Sequence, residues 1–318
     1  MGAMNLSMRT WRAALAGPLL AAAFSQAFTP ALAQDAGSLN PKPLAPLAKP
    51  DDPALAAREL FARRTLPASM AARSIGFYSR GCLAGGEALA VDGDAWQVMR
   101  LSRNRNWGHP ELVSVVERIA RAARSENIWP GLLVGDMAQP RGGPMLTGHA
   151  SHQIGLDADI WLTPMPERTL SQAEREQMSA LDMVRADRKD VDASRFTKGH
   201  VEVLRIAAQQ PEVERVLVNA AIKKALCRDA RGDRKWLAKV RPYWGHNYHF
   251  HVRVACPVGE ASCRPQDPPP RDEGCDSALD WWFTDAVLNR KPDPNWKPKP
   301  PLTLAQLPAE CQLVLKAQ

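Results

Sequence analysis

The segment His246-Asn247-Tyr248-His249-Phe250-His251 packs three of the chain's seven histidines into six residues. It belongs to a run, RPYWGHNYHFHVRVAC, whose later part reads as a β-strand. Residues two apart on a strand share a face. His249 and His251 therefore project together, with Tyr248 and Phe250 on the other side. Two imidazoles side by side on a rigid strand make a poor core and a good half of a metal site. The bland alternative is a histidine pair on a solvated face.

A second half-site lies upstream, in Gly148-His149-Ala150-Ser151-His152-Gln153-Ile154-Gly155-Leu156-Asp157-Ala158-Asp159-Ile160-Trp161. Six residues separate His152 from Asp159. Leu156, Ala158 and Ile160 alternate with Asp157, Asp159 and Trp161, again a strand pattern. Asp157 and Asp159 share one face, so one could ligate a metal while the other holds a ligand in place from behind. A histidine and a carboxylate at this spacing are weak evidence alone. Joined to a later pair of histidines on a strand, they supply two imidazoles and one carboxylate. That donor set, with a fourth position left for water, is the usual make-up of a catalytic zinc centre.

The strings GDMAQPRGGPMLTGHASHQIGLDADIW and VRPYWGHNYHFHVRVACP resemble the penicillin-insensitive murein endopeptidases. These belong to the wider LAS group of metallopeptidases, which also includes lysostaphin, the D-Ala-D-Ala peptidases and hedgehog-type domains. The resemblance runs from about Arg73 to about Cys311. It implies His152, Asp159 and His251 as zinc ligands, His249 as the base, and His246 as a second active-site histidine. It also implies further metal-site positions at His149, Asp187 and Asp190, although RADRKD equally reads as a solvated charge run. It implies the disulfides Cys82–Cys311, Cys227–Cys275 and Cys256–Cys263.

Such a constellation suits amide hydrolysis. A metal with an open position can lower the pKa of bound water and polarise a carbonyl. His249 shares a face with His251 without being needed as a ligand, so it can move the proton to the leaving amine. His246 is expected to donate a hydrogen bond to the developing oxyanion. The commonest zinc-protease helix, HExxH, is absent. Arg141, in QPRGGP, is a candidate clamp for a substrate carboxylate; a surface arginine is the plain alternative. Tyr243 and Trp244 are candidates for the cleft wall or for the core. His109 and His200 read as structural. Ser151 lies beside His152 but in no GxSxG elbow.

The rest of the chain bounds this chemistry. Arg9 and Arg12 precede an apolar stretch from Ala13 to Ala33 that ends in Ala31-Leu32-Ala33, the pattern of a cleaved export signal. Cleavage there would leave 285 of the 318 residues. Pro18, Ser25, Gln26 and Pro30 interrupt the stretch and argue against a membrane anchor. A Pro/Ala-rich linker is expected over 34–72, with Asp35 to Pro53 rich in Pro, Ala and Lys, and the domain over 73–318. All six cysteines lie in the exported part, as expected of three disulfides in an oxidising compartment. The formal charge of +7 falls to +5 once the two arginines of the leader are removed. Mild basicity fits a polyanionic partner. The charges are scattered and form no basic-aromatic stripe, so the cell-wall polymer is a better candidate than nucleic acid.

Apolar periodicity predicts a helix over Pro110–Arg124 and a buried extended segment over Gly131–Met137. A capping box at Ser171–Glu174 predicts a helix to about Val184. A helix over Val201–Gln209, a strand over Val213–Asn219, a short helix over Ala220–Arg228 and a late helix over Ser277–Leu288 follow. The fold class expected is α+β, a single domain with a small antiparallel sheet flanked by helices, and the resemblance implies the same. The function expected is a periplasmic zinc endopeptidase that cuts D-alanyl–meso-diaminopimelyl cross-links in peptidoglycan. The alternatives are a D-Ala-D-Ala carboxypeptidase and a catalytically silent wall- or metal-binding module. No stable membrane insertion is expected.

Overall fold

The structure is a computed structural model that describes residues 36–291, 293–295 and 297–318. The expected export signal, 1–33, lies outside the described residues. Its helices are α1 (Ala57–Phe61), α2 (Pro110–Ser125), α3 (Gln172–Gln177), α4 (Lys198–Gln209), α5 (Ala220–Asp229), α6 (Ser277–Asp280), α7 (Asp285–Leu288) and α8 (Glu310–Lys316). Its strands are β1 (Arg73–Phe77), β2 (Arg80–Ala84), β3 (Glu87–Ala88), β4 (Trp96–Val98), β5 (Trp107–Gly108), β6 (Leu132–Val134), β7 (Asp157–Trp161), β8 (Val213–Val218), β9 (Val240–Pro242) and β10 (His249–Val254). No described helix is long and apolar enough to cross a membrane.

One six-stranded sheet, ordered β4-β6-β7-β10-β8-β9, organises the chain. Its four central strands pair antiparallel, and the outer pairs β4–β6 and β8–β9 are parallel. Alternation along the strands gives the sheet two unlike faces. Ala158, Ile160, Val216, Phe250 and Val252 are fully buried in the main core. Helices α2 and α4 pack against each other in that core. Asp157, Asp159, His249 and His251 occupy the alternate positions. α2 begins where the sequence says it should: the His109 ring accepts the Glu111 N–H at 3.2 Å, and Pro110 stands at the first helical position.

Two small antiparallel pairs, β1–β2 and β3–β5, complete the sheets. β1–β2 belongs to a second core made from both ends of the described chain. Ala57 and Phe61 of α1, Ala68, Ile75 and Cys82 pack there against Cys311, Val314 and Leu315. Thus part of the region read as linker from composition is packed protein. The Cys82–Cys311 disulfide crosses this core. Cys227–Cys275 and Cys256–Cys263 form as the resemblance implied, and no described cysteine is free.

Two helices depart from expectation. The Ser171–Glu174 capping box forms, yet α3 stops at Gln177 instead of running to Val184. Arg100 explains the stop: its guanidinium donates to the carbonyls of Arg175 (2.6 Å) and Met178 (2.7 Å), satisfying the helix end from outside. The late helix is broken into α6, a 3₁₀ turn at Trp281–Phe283, and α7. At the break Thr284 is extended, and its hydroxyl donates to the Trp281 carbonyl at 2.8 Å.

Candidate metal centre

Strand register builds the site. β10 pairs with β7 so that His251 stands directly opposite Asp159, His249 opposite Trp161 and Arg253 opposite Asp157. All six side chains therefore share a face. Two further histidines come from turns: His152 just before β7, and His246 just before β10. Both have left-handed backbone, with φ of 65° and 53°. Non-glycine residues adopt this region at a cost of about 1–3 kcal/mol, and such residues concentrate at functional sites. His246 thus belongs to the turn that leads into β10.

Asp159 is the hub. Its Oδ1 lies 3.0 Å from His251 Nδ1 and 3.5 Å from His152 Nε2; its Oδ2 lies 3.4 Å from His149 Nδ1 and 3.6 Å from His249 Nε2. Burial alone would raise its pKa, but facing His249, His152 and His149 hold it well below the usual carboxylate range. Two groups can each offer three ligand atoms within 4.8 Å of one another: His149, His152 and Asp159, and Asp159, His246 and His251. The two groups share Asp159.

Asp157 plays a different part. It is fully buried, and its oxygens accept from the His152 backbone N–H at 3.0 Å, from His251 Nε2 at 2.8 Å and from Arg253 Nε at 2.7 Å. It fixes the His251 ring with Nδ1 aimed at Asp159. Burial would lower the pKa of His251, but Asp157, with Asp159, pushes it up to about 9. For Nδ1 to act as a ligand its proton must leave, while Nε2–H can stay on Asp157. That is the carboxylate–histidine arrangement which orients metal ligands in general.

The donor set fits a divalent cation. His152 is fully buried, and neither ring nitrogen has a hydrogen-bond partner. Burial lowers its pKa to about 4, so the ring is neutral and can offer a lone pair. Buried polar atoms without partners are rare and call for an explanation such as an ion. A metal held at His152 and Asp159 would supply one; His152 and His251 stand in different groups, joined through Asp159.

His246 has a defined tautomer. Its Nδ1 lies 2.8 Å from the Trp244 carbonyl, which can only accept, so the proton sits on Nδ1. Burial and the neighbouring charges of His249 and His251 lower its pKa to about 3. The neutral ring thus turns a lone pair on Nε2 toward the cluster. It is set to bind a cation or accept a proton, and a donor to an oxyanion would require protonation there.

The other candidates separate clearly. His149 joins the cluster and is held by Asp136, which accepts from its Nε2 at 3.0 Å. Asp136 is itself buried, with Arg103 and Arg105 at 3.0 and 2.9 Å. The sequence reading missed Asp136. Its only signal was a carboxylate two residues beyond the apolar run Leu132-Leu133-Val134, after Gly135. Asp187 and Asp190 belong to neither group; they pair with Arg185 and Arg228 in a partly exposed turn. Arg141 is no substrate clamp. It is buried and donates to the carbonyls of Leu66, Val314, Leu315 and Ala317, closing the C-terminal end of α8. His109 and His200 are structural, the first capping α2 and the second α4.

Two clefts meet at Gly148 and His149. One, of about 640 Å³, runs past His246, His251, Tyr243 and Arg253. The other, of about 770 Å³, runs past Asp136, Arg105 and Tyr248. Both clefts reach His149, and the first also reaches His246 and His251.

Residues 74–316 match the family model described as penicillin-insensitive murein endopeptidase. The chain belongs to that family. It is 42% identical over 246 residues to the penicillin-insensitive murein endopeptidase of Haemophilus influenzae, covering 77% of this chain and 83% of the relative. Proteins of the same name from Klebsiella pneumoniae and Salmonella paratyphi B are 40% and 42% identical over 251 residues, 79% of this chain and 89% of each relative.

Proposed function

We propose that this protein is a zinc-dependent endopeptidase that cuts the D-alanyl–meso-diaminopimelyl cross-links of murein in the periplasm. The observation that carries the reading is the buried, unpartnered His152 ring facing Asp159 and a His251 oriented by Asp157. Family membership and the names of the relatives support murein as the substrate, and the sequence resemblance implies the particular bond. Two clefts that meet at His149 support internal cleavage, because a cross-link extends in both directions from the scissile bond. Three disulfides and an export-type N-terminus support an oxidising compartment outside the cytoplasm.

Roles follow from the chain's own groups. His152, Asp159 and His251 would hold the ion. Zinc bound there would make hydroxide available near neutral pH and polarise the scissile carbonyl. His249, whose ring lies tilted against those of Tyr248 and His246 at 4.6 and 4.8 Å between centroids, would take the water proton and deliver it to the leaving amine. His246 Nε2 would accept a hydrogen bond or a proton beside it. No serine is acylated in this scheme, so β-lactams should not inhibit.

The test is mass spectrometry of purified cross-linked muropeptide dimers after incubation with the mature protein, with chelator and with chelator followed by zinc. Dimers converted to intact monomers, blocked by chelator and restored by zinc, are expected. Free D-alanine with dimers intact would replace this reading with a carboxypeptidase. Bound metal without products would replace it with a binding module.

A further inference from the structure

Three arginines cross the sheet in a row beside the histidine cluster. Arg253 on β10 stands directly opposite Arg215 on β8, and Arg241 on β9 stands opposite Leu217, two residues along β8. Like charges directly opposite on neighbouring strands destabilise a sheet. All three line the cleft of about 640 Å³ together with His149, His246 and His251, and its described lining contains no Asp or Glu.

One loop holds all three guanidinium groups. Arg253 donates to Gln266 Oε1 at 2.7 Å, Arg215 to the Asp267 carbonyl, and Arg241 to the carbonyls of Pro270 and Asp272. The disulfides Cys256–Cys263 and Cys227–Cys275 anchor the chain on either side of this loop. Charge compensation is uneven. Arg253 has the buried Asp157 at 2.7 Å. Arg241 has only the half-exposed Asp272 at 3.3 Å, and Arg215 has only Glu214 at 3.9 Å, among the described residues. The Nε–H groups of both Arg215 and Arg241 are buried and make no hydrogen bond. Burial lowers the pKa of Arg215, and although Glu214 opposes this, Arg253 and Arg241 add to it.

We infer that Arg215 and Arg241 form a carboxylate-recognition subsite, which selects substrates carrying a free carboxylate next to the scissile amide. The inference rests on the murein reading above. A diamino-dicarboxylic residue whose amine is cross-linked keeps a carboxylate on the carbon bearing that amine. A free carboxylate there would supply the anion that the arginine row lacks, through charge-assisted hydrogen bonds.

The test compares two purified cross-linked dimers, one with free diaminopimelyl carboxylates and one with those groups amidated. Wild-type protein should favour the free acid by about 10–100-fold in kcat/KM, the scale of hydrogen bonds to a charged group. Arg241→Gln should lower kcat/KM for the free acid mainly through KM and affect the amidated dimer far less, so the preference collapses toward one. Zinc content should be unchanged. Arg241→Lys, which keeps charge but loses the planar fork, should recover part of the preference. Equal cleavage of the two dimers by wild type would overturn the subsite and leave the endopeptidase standing, whatever the variants do. Equal losses on both dimers in Arg241→Gln would also overturn it. Cleavage of neither dimer would overturn the endopeptidase reading, and the subsite with it.

Discussion

Asp157→Asn isolates the group that sorts the two carboxylates of β7 into separate roles. Asp157 touches no solvent, yet it serves His152, His251 and Arg253 at once. Asparagine keeps the shape and one acceptor oxygen, but it loses the charge and places N–H donors where His251 Nε2–H or the His152 N–H now donates. Removing a partner behind a metal ligand costs about 10–100-fold in metal affinity, or roughly 1.4–2.8 kcal/mol at 1.4 kcal/mol per tenfold. A second effect falls on folding. Breaking a buried ion pair by removing one partner costs about 3–5 kcal/mol. Arg253 keeps Gln266 at 2.7 Å and lies over the Tyr78 ring at 4.0 Å, so the lower end of that range applies. Zinc affinity would be measured by competition with a chromogenic chelator, on protein shown to be folded by circular dichroism. Denaturant midpoints on chelator-treated protein would give the folding term separately. A folded Asp157→Asn protein that binds zinc as tightly as wild type would refute the argument, since His251 would then be oriented without Asp157.

His249→Ala should cut turnover of cross-linked dimers by at least about 100-fold, the lower bound for a lost general base, while keeping one equivalent of zinc by atomic absorption; loss of the zinc would move His249 into the ligand set. The non-reduced mature protein should titrate no free thiols. Opening Cys82–Cys311, which closes a separation of 229 residues, should cost about 5 kcal/mol on the chain-entropy model and lower Tm in the paired serine variant. His200 sets an acid limit: its ring accepts the Thr197 N–H at 3.0 Å, and its other nitrogen donates to the Leu162 carbonyl at 2.8 Å, which only the neutral form can do. Burial holds its folded pKa below the ordinary value of 6.5. This contribution to stability is therefore full above about pH 6.5 and is lost as pH falls through the folded value. Urea midpoints near pH 7 and pH 5 should fall more steeply for wild type than for His200→Asn, and parallel curves would remove His200 from the acid response.

Much of this site could be read from period-two spacing alone, and the reason is geometric. Strand alternation assigns faces, so Asp157 and Asp159, and His249 and His251, had to project in pairs before any fold was known. The same rule also put Arg253 on that face. Alternation cannot rank members of a face, because rank depends on cross-strand register. His251 pairs opposite Asp159, and so one carboxylate meets Nδ1 while the other takes Nε2–H. Residues on turns were less legible. His149 enters the cluster through Asp136, 13 positions away in sequence, whereas Asp187 and Asp190 are claimed by local arginines. The helices show the same division. α2 carries its own cap and apolar stripe, so its sequence sufficed, but α3 is ended by Arg100 from another part of the chain. Arg141 and the row Arg215, Arg241 and Arg253 complete the contrast: a guanidinium near a site motif is a candidate substrate clamp in sequence, yet the carbonyls of α8 claim it. The arginines that do line the cleft come from three separate strands. Only the strand order brings them together, and that order is a property of the sheet rather than of any local segment.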